Sequence, residues 1–207
     1  MKKISILLIA ISTIASAQLR LGLDVSRKAT LTPSYSKEFK ALAAASGESL
    51  PGEQDLKVDG MGISLGYDLM LLSLVGVGAE LNIGSGGDSE DDHDHDDEDH
   101  DDEGAGPDNQ VFVYGVAKVP VFPMVRGVIR AGLVKSFDSE LDPGLGFGFG
   151  LRVKPPIFPI GLEANYTIYN FSADQDLGMG YTMSTDMKQS YLNLTATYKF
   201  WYKIKII

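Results

Sequence analysis

The stretch GLGFGFGLRVK, residues 144–154, sorts two chemistries by parity. Leu145, Phe147, Phe149, Leu151 and Val153 fall on one side of an extended chain. Gly146, Gly148, Gly150, Arg152 and Lys154 fall on the other. Strict alternation marks a strand with two unlike faces. In water the aliphatic side would turn inward and the charges outward. In lipid the pattern turns over: aliphatics meet acyl chains, and the polar side lines a narrow lumen. The rest of the chain decides between the two.

The same alternation recurs at residues 19–25, 61–69, 75–83, 111–119, 125–133, 160–168 and 192–200, which makes eight strands with 144–154. Each is near the length that crosses a bilayer when tilted, about 9–11 residues. Connections are short at 70–74, 120–123 and 155–159, the last two rich in proline (VPVFP and KPPIFP). They are long at 27–57, 84–110, 136–144 and 170–190. An even strand count, with short turns on one side and long loops on the other, is the pattern of an outer-membrane barrel. The fold class this predicts is all-β: an eight-stranded antiparallel up-and-down transmembrane β-barrel with both termini periplasmic. In the first long loop, KEFKALAAAS (37–46) predicts a short helix with Phe39 and Leu42 on one side, capping the barrel mouth. Tyr67, Phe122, Phe158, Tyr169, Tyr198, Phe200, Trp201 and Tyr202 lie near strand ends and suit interfacial girdles.

The ends and the composition set the compartment. MKKISILLIAISTIASAQ begins with Lys2 and Lys3, runs through a short apolar core, and closes on Ala15-Ser16-Ala17. That order is a secretory signal peptide over 1–17, with the mature barrel, 18–207, starting at Gln18. The chain has no cysteine, so a secreted domain must be stabilised by a core, a metal or a membrane. The net charge of −10 comes from one place. Twelve of the 28 acids lie within 88–103, leaving 16; of the 18 Lys and Arg, two lie in the leader, also leaving 16. A neutral body lacks the basic face of a nucleic-acid binder.

On the polar side of the strands, Arg20, Arg126, Arg130 and Arg152 are expected to pair with Asp24, Glu80 and Glu163. An eight-stranded barrel is just wide enough for side chains to fill, so unpaired charges there would be costly. This reading is a plug. Gly146, Gly148 and Gly150 thin one wall and would leave room for water, which keeps a narrow ion or small-solute channel as the alternative. Enzymatic readings fare badly: strand serines such as Ser64 have no histidine base, because His93, His95 and His100 all lie in one loop. The expectation is a non-enzyme with no required cofactor.

That loop, 84–110, holds GDSEDDHDHDDEDHDDEGAG. Topology places it outside the cell. Imidazoles with carboxylates suit Zn, Ni or Cu, and carboxylates alone suit Ca. The candidate ligands are His93, His95, His100, Asp92, Asp94, Asp96 and Asp99. A self-repelling run gains Coulomb energy from a divalent cation but loses the entropy of its many conformations. Binding should therefore be weak, multi-ion and exchangeable, and should weaken on acidification because protons compete for the ligands. The plain alternative is a solvated spacer.

The last strand, YLNLTATYKF, spaces Leu192, Leu194, Ala196, Tyr198 and Phe200 at every second position and ends in an aromatic. With the leader and the GLGFGFGLR and IGLEANYTIYNF strands, it resembles the small OmpA-like eight-stranded outer-membrane β-barrel superfamily. Members usually end on that aromatic, whereas WYKIKII follows here. The resemblance implies an address in the outer membrane of a Gram-negative envelope, contact with its lipid, and an envelope or surface-interaction role with an unnamed extracellular partner. A soluble periplasmic barrel binding an apolar ligand is the rival from another class. Protein isolated from envelopes should begin at Gln18 by N-terminal sequencing, and a start at Met1 would remove the secretory reading.

Overall fold

The computed structural model describes residues 16–57, 61–71, 74–84, 109–137, 141–178 and 181–200. The described residues form one antiparallel sheet closed on itself. Its elements are β1 (Ser16–Tyr35), α1 (Lys37–Ser46), β2 (Gln54–Lys57), β3 (Gly62–Leu71), β4 (Val75–Gly84), β5 (Asn109–Phe122), β6 (Val125–Ser136), β7 (Gly144–Val153), β8 (Ile160–Gly178) and β9 (Tyr181–Phe200). Strands β1 and β3 to β9 pair in chain order, and β9 returns to β1. Closure leaves no open edge in the eight-stranded ring, the condition for putting a sheet in lipid. The short β2 pairs with the outer part of β1, above β3, so the two share one side of β1.

All eight sequence-read strands lie in the wall, and their alternation is the one expected. Leu21 is 57% exposed beside Arg20 at 2%. The pattern repeats around the ring: Ile63, Val77, Val113, Ile129, Phe149, Leu162 and Leu194 point out, while Asp24, Glu80, Arg130, Arg152 and Glu163 are buried. A dry aliphatic centre, which a soluble barrel needs, is therefore the reverse of what is seen. Such a wall is stable only when acyl chains cover it. The two ends also differ as expected. The β5–β6 turn needs only Pro123 and Met124, and the proline-rich β7–β8 connection runs 154–159, both at the end that holds Ser16 and Phe200. The expected leader falls outside the described residues except Ser16 and Ala17, which pair with Met70 and Leu69.

Four expectations need correction. First, much of the loops at 27–57 and 170–190 is strand. β1, β8 and β9 run 20, 19 and 20 residues, well beyond the lipid requirement. The β1 alternation breaks because the β1–β9 register shifts between Asp24 and Ser26. One extra residue reverses parity, so Arg27 and Ala29 take over the inward side. Second, Tyr169 is not an interfacial aromatic. It is 1% exposed and lies inside. Tyr67, Phe122, Phe158, Tyr198 and Phe200 do face outward, and Trp201 and Tyr202 lie outside the described residues. Third, α1 forms, with Ser36 capping it through Phe39 N–H (3.4 Å) and Gly47 closing it in the left-handed region at φ 73°. Phe39 and Leu42 do not share one packed side, however. Phe39 packs on Tyr35 and Tyr181, with Ala43 buried and Leu42 exposed.

Fourth, Gly146 and Gly150 do not open the wall, because neighbouring atoms close over both, whereas a Cβ at Gly148 would keep 3.3 Å to Thr167 Oγ1. A Cβ at Gly146 would lie 2.5 Å from the Phe112 ring and 2.9 Å from that of Tyr169. A Cβ at Gly78 would lie 2.6 Å from the Tyr114 ring. At Gly146 and Gly78 the missing side chains are the room into which large rings from other strands pack. Two substitutions separate the faces. Phe149→Arg, near the middle of β7 on the lipid side, should destabilise by about 2–4 kcal/mol. Gly146→Val should destabilise comparably, by displacing Phe112. Urea titration in vesicles, read by the heat-modifiable gel shift, measures both, and a neutral Phe149→Arg would contradict the lipid-facing assignment.

Candidate functional site

Among the described residues, charged side chains from many strands converge in the barrel interior. At its centre Arg20 (β1) reaches Glu80 (β4) at 2.6 Å and faces Glu163 (β8) at 3.6 Å, and its Nη1 donates to the Tyr114 hydroxyl at 2.7 Å. Arg130 (β6) meets Glu163 at 2.7 Å and donates to Asn165 Oδ1 at 3.0 Å. The Tyr114 hydroxyl in turn donates to Asp68 at 2.8 Å, and the Arg130 guanidinium lies over its ring at 5.5 Å. Below this, Lys118 (β5) pairs with Asp68 at 3.1 Å and donates to Gln18 Oε1 at 2.6 Å, an oxygen that also accepts from Arg152.

Above the centre neutral side chains make most of the contacts. Asn193 donates to Asp24 (2.7 Å) and to Ser64 (2.9 Å), and Arg27 approaches Asp24 at 3.6 Å. Asn82 donates to the Tyr169 hydroxyl at 2.9 Å, and Gln110 donates to both Gln189 and the Tyr191 hydroxyl at 2.7 Å. Phe112, Tyr169, Phe171 and Tyr191 stack edge-on across the outer half of the lumen. Inside the wall, cavities measure about 10 Å³ beside Tyr191 and about 50 Å³ at the inner mouth. A cavity of about 750 Å³ lies instead on the lipid-facing wall, between Leu21, Ile63, Leu151, Leu162 and Leu194. Among the described residues, these two inner spaces are small and lined mostly by polar and charged side chains, which weighs against the apolar-ligand rival.

Several expected partners meet and others do not. Arg20 and Arg130 find Glu80 and Glu163 as expected. Asp24 serves Arg27, and Arg126 lies lower, exposed at the inner mouth. The expectation missed Asp68, Lys118, Gln18 and Tyr114, which tie the network together. Asp68 was visible on the polar parity of β3, but the residue it would meet on β5 was not. Ser64, the serine considered as a nucleophile, is fully buried and receives an amide proton from Asn193.

The metal candidates His93, His95, His100, Asp92, Asp94, Asp96 and Asp99 lie outside the described residues. Among the described residues no cluster of three or more His, Asp and Glu side chains is placed to hold a metal. What is described is the anchorage. Ile83 pairs with Asn109, and Phe137 N–H donates to the Asn109 carbonyl at 3.0 Å, so the acidic segment leaves and re-enters at the outer end of β4 and β5.

A closed ring of eight strands with aliphatic side chains outside and charge inside defines the class of fold: an eight-stranded transmembrane β-barrel, the architecture that the sequence resemblance implied. No protein-family model and no curated protein sequence matches the chain. Solved structures do. The outer membrane protein AlkL superimposes with a TM-score of 0.53 at 12% identity, over 93% of this chain and 93% of that one. The neisserial surface protein NspA gives 0.45 at 11% identity, over 90% and 99%. Ail of Yersinia pestis gives 0.35 at 12% identity, over 86% and 97%. At these identities the likeness concerns the fold.

The network makes a stability prediction. Glu163→Gln removes the negative charge shared by Arg130 and Arg20, and breaking a buried pair from one side costs about 3–5 kcal/mol. The urea midpoint of the gel-shift transition should fall accordingly. An unchanged midpoint would mean that the pairs are solvated.

Proposed function

We propose that the chain is a closed, non-enzymatic outer-membrane barrel that works through its outer end. Its lumen acts as a plug and its loops act as the contact surface. The observation that carries this is the filled interior beneath a tall outer rim. About ten residues of β1, β8 and β9 exceed what the bilayer requires, which at roughly 3.3 Å per residue is some 30 Å of sheet standing clear of the lipid. Length of this kind is wasted on a pore and useful for display. The partner met by that rim is an extracellular one of unassigned chemistry.

A second reading belongs to the same end. The acidic segment binds divalent cations weakly and exchangeably through His93, His95, His100 and the carboxylates of Asp92, Asp94, Asp96 and Asp99. Zn, Ni and Cu suit the imidazoles, and Ca suits the carboxylates. The support is chemical composition together with anchorage at the outer rim. The narrow-channel alternative has against it the rings of Phe112, Tyr169 and Tyr191 and the Arg20–Glu80–Glu163–Arg130 cluster, which occupy the path.

Two measurements on the refolded barrel test these readings. In planar bilayers it should give no steady conductance at any voltage, and well-defined unitary steps would replace the plug with a channel. Calorimetric titration with zinc should show several weak sites, fading as pH falls through about 6.5 where imidazole takes its proton. Deleting 88–103 should abolish that heat, and a barrel that binds zinc equally well without those residues would exclude the segment.

A further inference from the structure

Above the bilayer the ring gives way to part of a sheet. β7 and β8 pair as far as Leu145 opposite Asn170, and Asp142 N–H then donates to the Ser172 carbonyl at 2.9 Å. β8 runs on to Gly178. Its other side stays paired with β9, Ala173 opposite Thr185 and Asp176 opposite Thr182. The Ser172 bond shows which way the backbone points. Successive residues of a strand turn their N–H and C=O to alternate sides. Those of Asp174 and Asp176 therefore point away from β9, as the Ser172 carbonyl does. Among the described residues no backbone group pairs with them.

The other flank of the rim is treated differently. The outer part of β1 would show the same kind of edge, but β2 covers it from Lys28 to Leu31. The side chains along the open edge follow a pattern. Tyr169 and Phe171 are buried inside the barrel, so by parity Asp174 and Asp176 stand on the outer face, and both are exposed. Asp186 of β9, opposite Ser172, shares that face, and Asp142 lies exposed at the foot of the edge. Among the described residues none of these four acids is in a salt bridge. Lys188 is on the same face but lower, opposite Asn170. On the inner face Ala173 and Leu177 flank Gln175.

We propose that the free edge of β8 takes up, in antiparallel register, an extended segment of a partner polypeptide whose residues alternate between cationic and apolar. This rests on the display reading above and gives its partner a chemistry. Main-chain bonds to Asp174 and Asp176 supply the affinity, as in other cases of strand addition. Cationic side chains beside Asp174 and Asp176 make opposite-charge cross-strand pairs, and apolar ones lie beside Ala173 and Leu177. A second copy of this chain does not fit, because two β8 edges would set aspartate against aspartate.

The test uses the full mature barrel refolded in detergent, with a synthetic peptide of alternating lysine and valine as the probe. Binding should saturate and slow hydrogen exchange at the amides of Asp174 and Asp176. A lysine opposite Asp174 turns its own N–H toward β8. N-methylation at the lysine amides should therefore weaken binding roughly tenfold or more, and N-methylation at the valine amides should not. Asp174→Pro removes an edge donor without touching the β9 ladder, and should give the same loss while the barrel still migrates as folded. If that variant fails to fold, Asp174→Asn with Asp176→Asn should weaken binding instead. No saturation at millimolar peptide, or equal binding after lysine N-methylation, overturns the edge site. A peptide held by charge alone, on the acidic segment included, gives that second result. Unitary conductance steps in planar bilayers would instead overturn the display reading beneath it, so the two failures are distinct.

Discussion

The pairing of β1 with β9, from Ala17 opposite Phe200 up to Tyr35 opposite Met183, removes the last two open edges of the eight-stranded ring. In hydrocarbon an unpaired N–H or C=O costs several kcal/mol, so a spanning sheet must close or fail. Closure fixes the other features in turn. It sets one face of every strand toward lipid and the other toward a tube too narrow for bulk water. The side chains inside must then satisfy each other. The charged residues of β1, β4, β6 and β8 meet because the ring brings them together across long sequence distances.

The interior combines two packing solutions. In the lower half, charge is matched by charge around Asp68 and Glu163, each of which faces more than one cation. In the upper half, aromatic volume is matched by missing side chains, with Phe112 and Tyr169 packed against Gly146. The ionic half contributes less net stability than its short distances suggest, because desolvation offsets much of the attraction. What it supplies is register. Shifting one strand by a residue would leave Arg20 or Arg130 in lipid, so wrong pairings are penalised heavily.

The wall was legible in the sequence because lipid and lumen impose opposite demands on adjacent residues, as in Leu145 to Lys154. Above the lipid that demand ends. Along β8 the alternation fades after Phe171, and in β1 the register shift at Val25 inverts it, so strand was read as loop. The lumen charges were legible as inward-facing, but their partners were not. Parity says which way Arg20 points and says nothing of which strand lies across the tube. The acidic segment is the reverse case: its composition speaks plainly, and the described wall adds only where it is rooted.

The tall part of the rim lies on one side. Counting round the ring, the β8–β9 hairpin stands diametrically opposite the junction of β4 and β5. Among the described strands the outer edge is therefore slanted, high over β8, β9 and β1 and low at the ends of β4 and β5. A slanted rim sorts visitors by size. A broad surface, such as another cell or a fibre, touches the high side first and is held off the low side. The display surface and the acidic segment proposed for the outer end are thus rooted on opposite sides of the ring.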